Sequence, residues 1–205
     1  MSDERASDQP PSASPWDERY RTYPWPTEPD RELVELVGPL EPGAAVDLGC
    51  GTGRNALWLA SRGWRVTGVD SSRVGLEIAD GRARDQGLAA TWVLADLMAY
   101  SPGEPVELVV MANIHPAPED RMALFAHVAG AVAPGGHLYV SGHHVEAHGV
   151  AGPPDAARLY TEALLRDGFS KLNIERLERI VRAAEGEGSA VVDVVLWASR
   201  PLAAE

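Results

Sequence analysis

The stretch AAVDLGCGTGRNALWL, residues 44–59, decides how the rest of the chain is read. It opens as an apolar, strand-like run and passes through Asp47. It then places Gly49, Gly51 and Gly53 at every second position before a helix-like segment. A glycine-rich bend between a strand and a helix brings backbone N–H groups close to a ligand. Two phosphate-binding patterns fail here. The dinucleotide fingerprint G-x-G-x-x-G is missed because the third glycine comes one residue early and position 54 is arginine. The other phosphate-cradling loop needs a Gly-Lys-Ser/Thr ending, which is absent. Asp47 adds an objection of its own, since a carboxylate just before the turn would repel a pyrophosphate but would suit a ligand carrying an ammonium group.

Downstream, strand-like runs at 64–70, 90–96, 106–114 and 135–144 follow the one at 44–49 and alternate with helix-like segments at 54–62, 72–86 and 119–132. Several strands are near-continuous apolar runs, as expected of parallel strands covered on both faces. Gly63 and Gly87 stand where the first two helices should stop. The third helix is expected to bury a stripe of Met122, Phe125, Ala129 and Val132 and to stop at Pro134-Gly135-Gly136. A further helix is expected at about 156–167, ending at Gly168. Two strand-like runs follow, FSKLNIERLERIVR (169–182) and SAVVDVVLWASRP (189–201), joined by the short AEGEG (184–188). So short a connection makes an antiparallel hairpin. The βαβ series predicts an α/β fold: a doubly wound, Rossmann-like, mostly parallel seven-stranded sheet ending in an antiparallel strand pair.

Upstream, residues 1–15 are rich in Ser, Asp and Pro and read as a disordered tail. Residues 16–205 read as a single domain, with 16–40 as an N-terminal lid or helix segment. Trp16, Tyr20, Tyr23 and Trp25 crowd the start of that segment, and TEPDRELVELVGPL follows as a helix. In that helix Thr27 is the expected N-cap, Asp30 sits at the third helical position, and Gly38-Pro39 marks the exit.

Composition narrows the ligand. The 205 residues are 45% hydrophobic and 23% charged, as suits one globular domain. Eighteen Lys and Arg stand against 30 Asp and Glu, a net charge of −12, and Lys171 is the one lysine. Phosphate backbones and anionic membrane surfaces are bound through clustered Lys and Arg, so nucleic acid and membrane are poor partners and a small molecule is a better one. No run approaches the ~18 apolar residues of a membrane-spanning helix. The start of the chain has no apolar signal core, and Cys50 is the sole cysteine. A cytoplasmic location is therefore expected. Oligomeric state is not legible.

Asp70 closes the second strand, about twenty residues after the first glycine, where a carboxylate can accept from ribose hydroxyls. Asp96 closes the third. Ligands of open α/β sheets bind beyond the carboxyl ends of the strands, so both acids edge one crevice. Glycine backbone, a ribose acceptor and acids without a phosphate grip match a nucleoside joined to an amino acid.

These residues resemble a known family, the class I S-adenosylmethionine-dependent methyltransferases. VDLGCGTGRN is similar to their motif I, VTGVDSS to motif II and LADL to motif III, while VELVVMANIHP holds the motif IV position. The run GRNALWLASRGWRVTGVDSS resembles small bacterial enzymes of the tellurite-resistance and thiopurine-methyltransferase type, which act on small acceptors. The resemblance implies S-adenosyl-L-methionine as cofactor. It implies that Gly49, Gly51 and Gly53 let backbone approach it, that Asp47 helps hold the methionine end, that Asp70 with Ser71 takes the ribose, and that Asp96 with Leu97 takes the adenine edge. Arg54 and Asn55 open the helix, either as cofactor contacts or as helix-start residues. Ala112, Asn113 and His115 would lie near the methyl group. The segment bearing Trp16, Tyr20 and Trp25 would cover the cofactor or touch the substrate, or would simply pack the first helix.

Methyl transfer from a sulfonium is an in-line displacement in which alignment supplies most of the rate, and a base is needed only for a protonated acceptor. His115 is the candidate base, with Asn113 beside it. MANIHPAP departs from the Asn/Asp-Pro-Pro-Tyr of nucleic-acid and protein amino-methyltransferases. His143, His144 and His148 cluster after the fifth strand, where His143 and His144 are candidate substrate contacts. Such spacing can also ligate a transition metal. The acids that hold magnesium in catechol-type relatives are missing at Met111-Ala112-Asn113, so metal-independent methyl transfer to a sulfur, oxygen or nitrogen acceptor is the expectation. A protein that binds S-adenosylmethionine or S-adenosylhomocysteine without turnover is the alternative. A nicotinamide-dependent oxidoreductase is disfavoured by the glycine spacing.

Overall fold

The computed structural model describes residues 14–182 and 190–202. The apolar runs become β1 (Ala44–Leu48), β2 (Arg65–Asp70), β3 (Thr91–Leu94), β4 (Val106–Ala112), β5 (Val132–His143), β6 (Asn173–Arg182) and β7 (Val191–Ser199). They form one seven-stranded sheet in the order β3-β2-β1-β4-β5-β7-β6. β1 to β5 run parallel, and β7 lies antiparallel between β5 and β6. This is the doubly wound sheet with a reversed terminal pair that the alternation predicts. The connection at 184–188 lies outside the described residues.

Side chains of successive strand residues point to opposite faces, and the two faces carry separate cores. Val46, Leu48, Val109, Met111, Leu138 and Val140 meet Leu124, Phe125 and Val128 of α5 (Pro118–Gly130) and Leu165 of α6 (Glu162–Gly168). On the other face, Ala45, Val66, Leu108, Val110 and Tyr139 meet Leu33 and Val37 of α2 (Arg31–Val37) and Ala56 and Leu59 of α3 (Arg54–Ser61). With α4 (Arg73–Asp85) between β2 and β3, strand order reverses at β1 and β4. The crevice of such a sheet opens where the order reverses.

Several local expectations are corrected. Thr27 does not cap the second helix. Asp30 does, with its side chain turned away from the helix to accept from Ser141 Oγ at 2.8 Å. Of the tail expected at 1–15, residues 1–13 lie outside the described residues. Ser14 is the N-cap of α1 (Pro15–Thr22) and accepts from the Trp16 backbone N–H. α5 ends at Gly130, so Val132 and Pro134-Gly135-Gly136 belong to β5. Its buried stripe is Arg121, Leu124, Phe125, Val128 and Ala129, whereas Met122 is 44% exposed. The segment from 156 is a single 3-10 turn (Ala156–Arg158), and the helix starts only at Glu162, capped by Thr161 Oγ. Gly63 and Gly87 do end their helices in the left-handed region.

Candidate functional site

The crevice begins at the glycine bend. Gly49, Gly51 and Gly53 have φ of +71°, +54° and +84°, a region that residues with a Cβ enter at a cost. A Cβ on Gly51 would also lie 2.8 Å from the Tyr20 hydroxyl, and one on Gly49 would strike Ile114. The bend is therefore a cradle shaped for close approach. Asp47 sits beneath it, buried, and accepts from the Ala56 N–H at 3.1 Å, tying the start of α3 to β1. Burial pushes its carboxyl up to about 7, with Arg54 pulling the other way.

At the end of β2, Asp70 accepts from the backbone N–H of Gly51 and of Ser72, both at 2.8 Å. Burial raises its pKa against those bonds, and the Tyr20 hydroxyl also meets it. Ser71 is exposed and bonds Ser14. Asp96 is exposed at the end of β3 and spends one oxygen on the Met98 N–H, at 2.8 Å. Leu97 lies half-buried within 4 Å of the space beside Gly49. Arg54 stands 3.9 Å from Asp30, and the buried Asn55 accepts from the Asp30 N–H at 2.9 Å. Asn55 thus holds the start of α2 rather than facing the crevice.

The aromatic segment lies over this half. α1 packs on α4, where Asp17 accepts from Ser72 Oγ and the Tyr20 ring meets the Cβ space of Gly75. Tyr20 and Trp25 are 5.1 Å apart and Trp16 is 6.2 Å from Tyr20. Arg19 covers the Trp16 ring at 4.8 Å. Trp16, Tyr20 and Trp25 form one cluster, of which Tyr20 alone reaches the glycine bend.

Beyond β4 the chain turns at Asn113, the only non-glycine residue at positive φ (+58°) among the described residues, which is held by a 2.8 Å bond from its N–H to Ser141 O. Asparagine is among the non-glycine residues that enter this conformation most readily, and here, exposed beside Ala112, it turns the chain at the strand end. His115 is corrected. Its Nε2 accepts from the His143 N–H at 3.2 Å, and its Nδ1 lies 3.3 Å from Arg158 O. Burial lowers its pKa to about 4. With both nitrogens committed to backbone, His115 has no free base. His144 is corrected too: it is 4% exposed, takes the Glu146 N–H on one nitrogen and bonds Glu162 at 3.1 Å with the other. His143 differs. Its ring stacks on His115, and Nδ1 bonds Asp193 of β7 at 2.8 Å while Nε2 has no protein partner among the described residues. His148 bonds Pro154 O. The imidazoles go to separate partners, and no group of three metal-ligating side chains occurs among the described residues.

Three features escaped the sequence reading. Asp193 is an acid within the apolar run VVDVVLW, which was its available signal. Arg121 falls on the buried stripe of α5 and signalled itself only once the stripe was set correctly. The Asp30–Ser141 bond joins residues 111 positions apart and had no local signal.

Residues 45–136 match the family of methyltransferase domains. Trans-aconitate 2-methyltransferase of an Azoarcus species is 36% identical over 118 residues, which are 56% of this chain and 44% of that protein. The chain thus matches less than half the length of this curated relative. A structure solved for the conversion of a disulfide bond into a thioacetal group during echinomycin biosynthesis has a TM-score of 0.74 at 24% identity, covering 93% of this chain and 92% of that one. TehB from Haemophilus influenzae has a TM-score of 0.72 at 16% identity, covering 90% and 65%. These two share the fold. No helix among the described residues is long and apolar enough to cross a membrane. The family match falls on the stretch that carries the glycine bend and all three acids at the strand ends, and the seven-stranded fold around it is shared with those structures.

Proposed function

We propose that the protein transfers the methyl group of S-adenosylmethionine to a small-molecule acceptor. One observation carries the reading: three glycines at positive φ lie at the point where strand order reverses, with Asp70 bonded to Gly51, Asp47 bonded to the start of the following helix and Asp96 beyond the end of β3. The donor set fits the cofactor. Asp47, with its raised pKa, is a buried carboxyl that gains from a cation. Asp70 keeps acceptor capacity beyond its two backbone bonds. Asp96 keeps one free oxygen. When bound, S-adenosylmethionine supplies an electrophilic methyl on a neutral leaving group. The residues of this chain do the remainder: the bend and its acids fix the donor, Asn113 shapes the strand end, and the aromatic segment excludes water. A protonated acceptor gives its proton to His143 Nε2, with Asp193 holding the imidazole through Nδ1. An acceptor already anionic needs no such step.

The test has two arms. Calorimetry with S-adenosylhomocysteine should show micromolar-range binding, and NAD should show none. Transfer of labelled methyl to a panel of carboxylates, phenols, thiols and amines should then identify an acceptor. For a hydroxyl or thiol acceptor, His143→Asn should lower kcat by about 10²-fold without weakening S-adenosylhomocysteine. Tight NAD binding together with indifference to S-adenosylhomocysteine overturns the proposal, and binding without any transfer leaves the non-catalytic reading.

A further inference from the structure

We infer that Arg121 and Arg158 form an anion-binding subsite that takes an oxyanion group, a carboxylate of the acceptor. As a statement about the acceptor this rests on the methyl-transfer reading above. Arg121 is only 8% exposed. One terminal nitrogen donates to the Ala157 carbonyl, and its buried Nε meets no partner. Arg158, the next residue along from Ala157, also has a buried Nε without a partner. Neither guanidinium takes part in any ion pair among the described residues. Asp155, three residues before Arg158, gives one carboxylate oxygen to the Ala157 N–H at 2.9 Å.

Two arginines of adjoining segments, each with a buried Nε that meets no partner and neither paired with an acid among the described residues, cost free energy unless an anion neutralises them. A chain with 30 acidic residues had many ways to supply one. Leaving the pair unmatched is what a site for an anionic ligand requires, and arginine is the side chain whose fork fits a carboxylate.

The pair is also in the right place. Ile114 fills the Cβ space of Gly49 on the cofactor side, and its carbonyl takes the Tyr160 hydroxyl on the other. The next residue, His115, reaches Arg158 O, and Arg121 follows in the first turns of α5. Ile114, which fills the space beside Gly49, is thus followed directly by the residue whose ring meets the Arg158 carbonyl. His115, kept neutral, adds no charge there. An acceptor anchored by its carboxylate would lie beside His143 and Asn113.

Citrate serves as the carboxylate probe, inorganic phosphate as the free anion and glycerol as the uncharged control, each titrated calorimetrically into the whole chain saturated with S-adenosylhomocysteine. Citrate should bind and glycerol should not. Arg158→Gln should weaken citrate about tenfold or more while S-adenosylhomocysteine affinity is unchanged, and Arg158→Lys should recover part of the loss. Arg121→Gln should do the same, and Arg158→Gln decides the matter if that variant fails to fold. Citrate binding that is absent, or equal in Arg158→Gln, overturns the inference. Phosphate bound as tightly as citrate overturns the acceptor assignment. Failure of S-adenosylhomocysteine to bind would strike the methyl-transfer reading instead, because the citrate titration can also be run on the chain alone.

Discussion

On one side of β4 the groups that face the crevice are largely backbone and strand-end acids, drawn from the single stretch Asp47 to Asp96. On the other side of β4 stand the side chains of His115, Arg121, His143, Arg158 and Asp193, brought from separate elements. The first side is fixed by local conformation: a bend at positive φ, a helix start, a strand end. The second exists only after β5, β7 and the 145–160 segment have packed. Electrostatics separates the two sides as well. Around the glycine bend, burial holds Asp47 and Asp70 toward their neutral forms, so that side is short of a cation. Around Arg121 and Arg158 it is short of an anion. A zwitterionic cofactor end and an anionic acceptor would satisfy both.

The comparison is broken most sharply at Asp47. Its folded pKa of about 7 lies above the ordinary 3.8. The group therefore favours the fold fully below that ordinary value, and the advantage is lost as pH rises through about 7, on the order of 4 kcal/mol in all. Asp47→Asn keeps an oxygen for the Ala56 N–H and removes the buried charge. It should be more stable than the parent at pH 8 and keep less than half of that advantage at pH 5. It should also bind S-adenosylhomocysteine roughly 30-fold more weakly, the loss of one charge-assisted hydrogen bond. Thermal melts at the two pH values and calorimetry read the two effects. Unchanged cofactor affinity in Asp47→Asn would remove Asp47 from the site.

How much was legible follows the same division. The doubly wound, mostly parallel sheet, the reversed terminal pair and the glycine bend were readable because each is encoded locally: in apolar period, in glycine at left-handed positions, in a connection too short for a helix. The placing of Asp47, Asp70 and Asp96 at or near the carboxyl ends of β1, β2 and β3 was readable because each acid closes an apolar run. His115 was misjudged because its neighbours in sequence say nothing of the His143 N–H and the Arg158 carbonyl that take its nitrogens. The stripe of α5 was phased on Met122, and a shift of one position both exposes that methionine and buries Arg121. The acceptor side as a whole depends on long-range packing, which periodicity does not carry.

His115 tests the acceptor side with the opposite sign. Its folded pKa of about 4 lies below the ordinary 6.5. Its contribution to stability is therefore present above about 6.5 and lost as pH falls through about 4, roughly 3 kcal/mol over that interval. Substituting Asn keeps a hydrogen-bonding side chain that does not titrate. His115→Asn should be less stable than the parent at pH 7 and should lose less on going to pH 4.5. Denaturant midpoints across that range measure it. A pH dependence as steep as the parent's would mean that another group carries the acid sensitivity.

The smallest effect is expected at the seam between the two sides and the aromatic segment, at Tyr20. Its hydroxyl meets Asp70, and its ring fills the space beside Gly51 and Gly75. Burial and the neighbouring carboxylates keep the phenol protonated, so it is a fixed donor to the acceptor that ribose hydroxyls would use. Tyr20→Phe preserves the ring contacts and releases Asp70. Cofactor affinity should then rise by about two- to fivefold, because one competing bond of ~0.5–1 kcal/mol has gone. A chain beginning at residue 27 loses the aromatic cover altogether and should bind S-adenosylhomocysteine more weakly than the parent. Opposite signs from these two changes separate the hydroxyl, which competes with the ligand, from the rings, which shield it. Weaker binding in both would make Tyr20 a direct holder of the cofactor, and equal binding in both would leave α1 with nothing to do but cover α4.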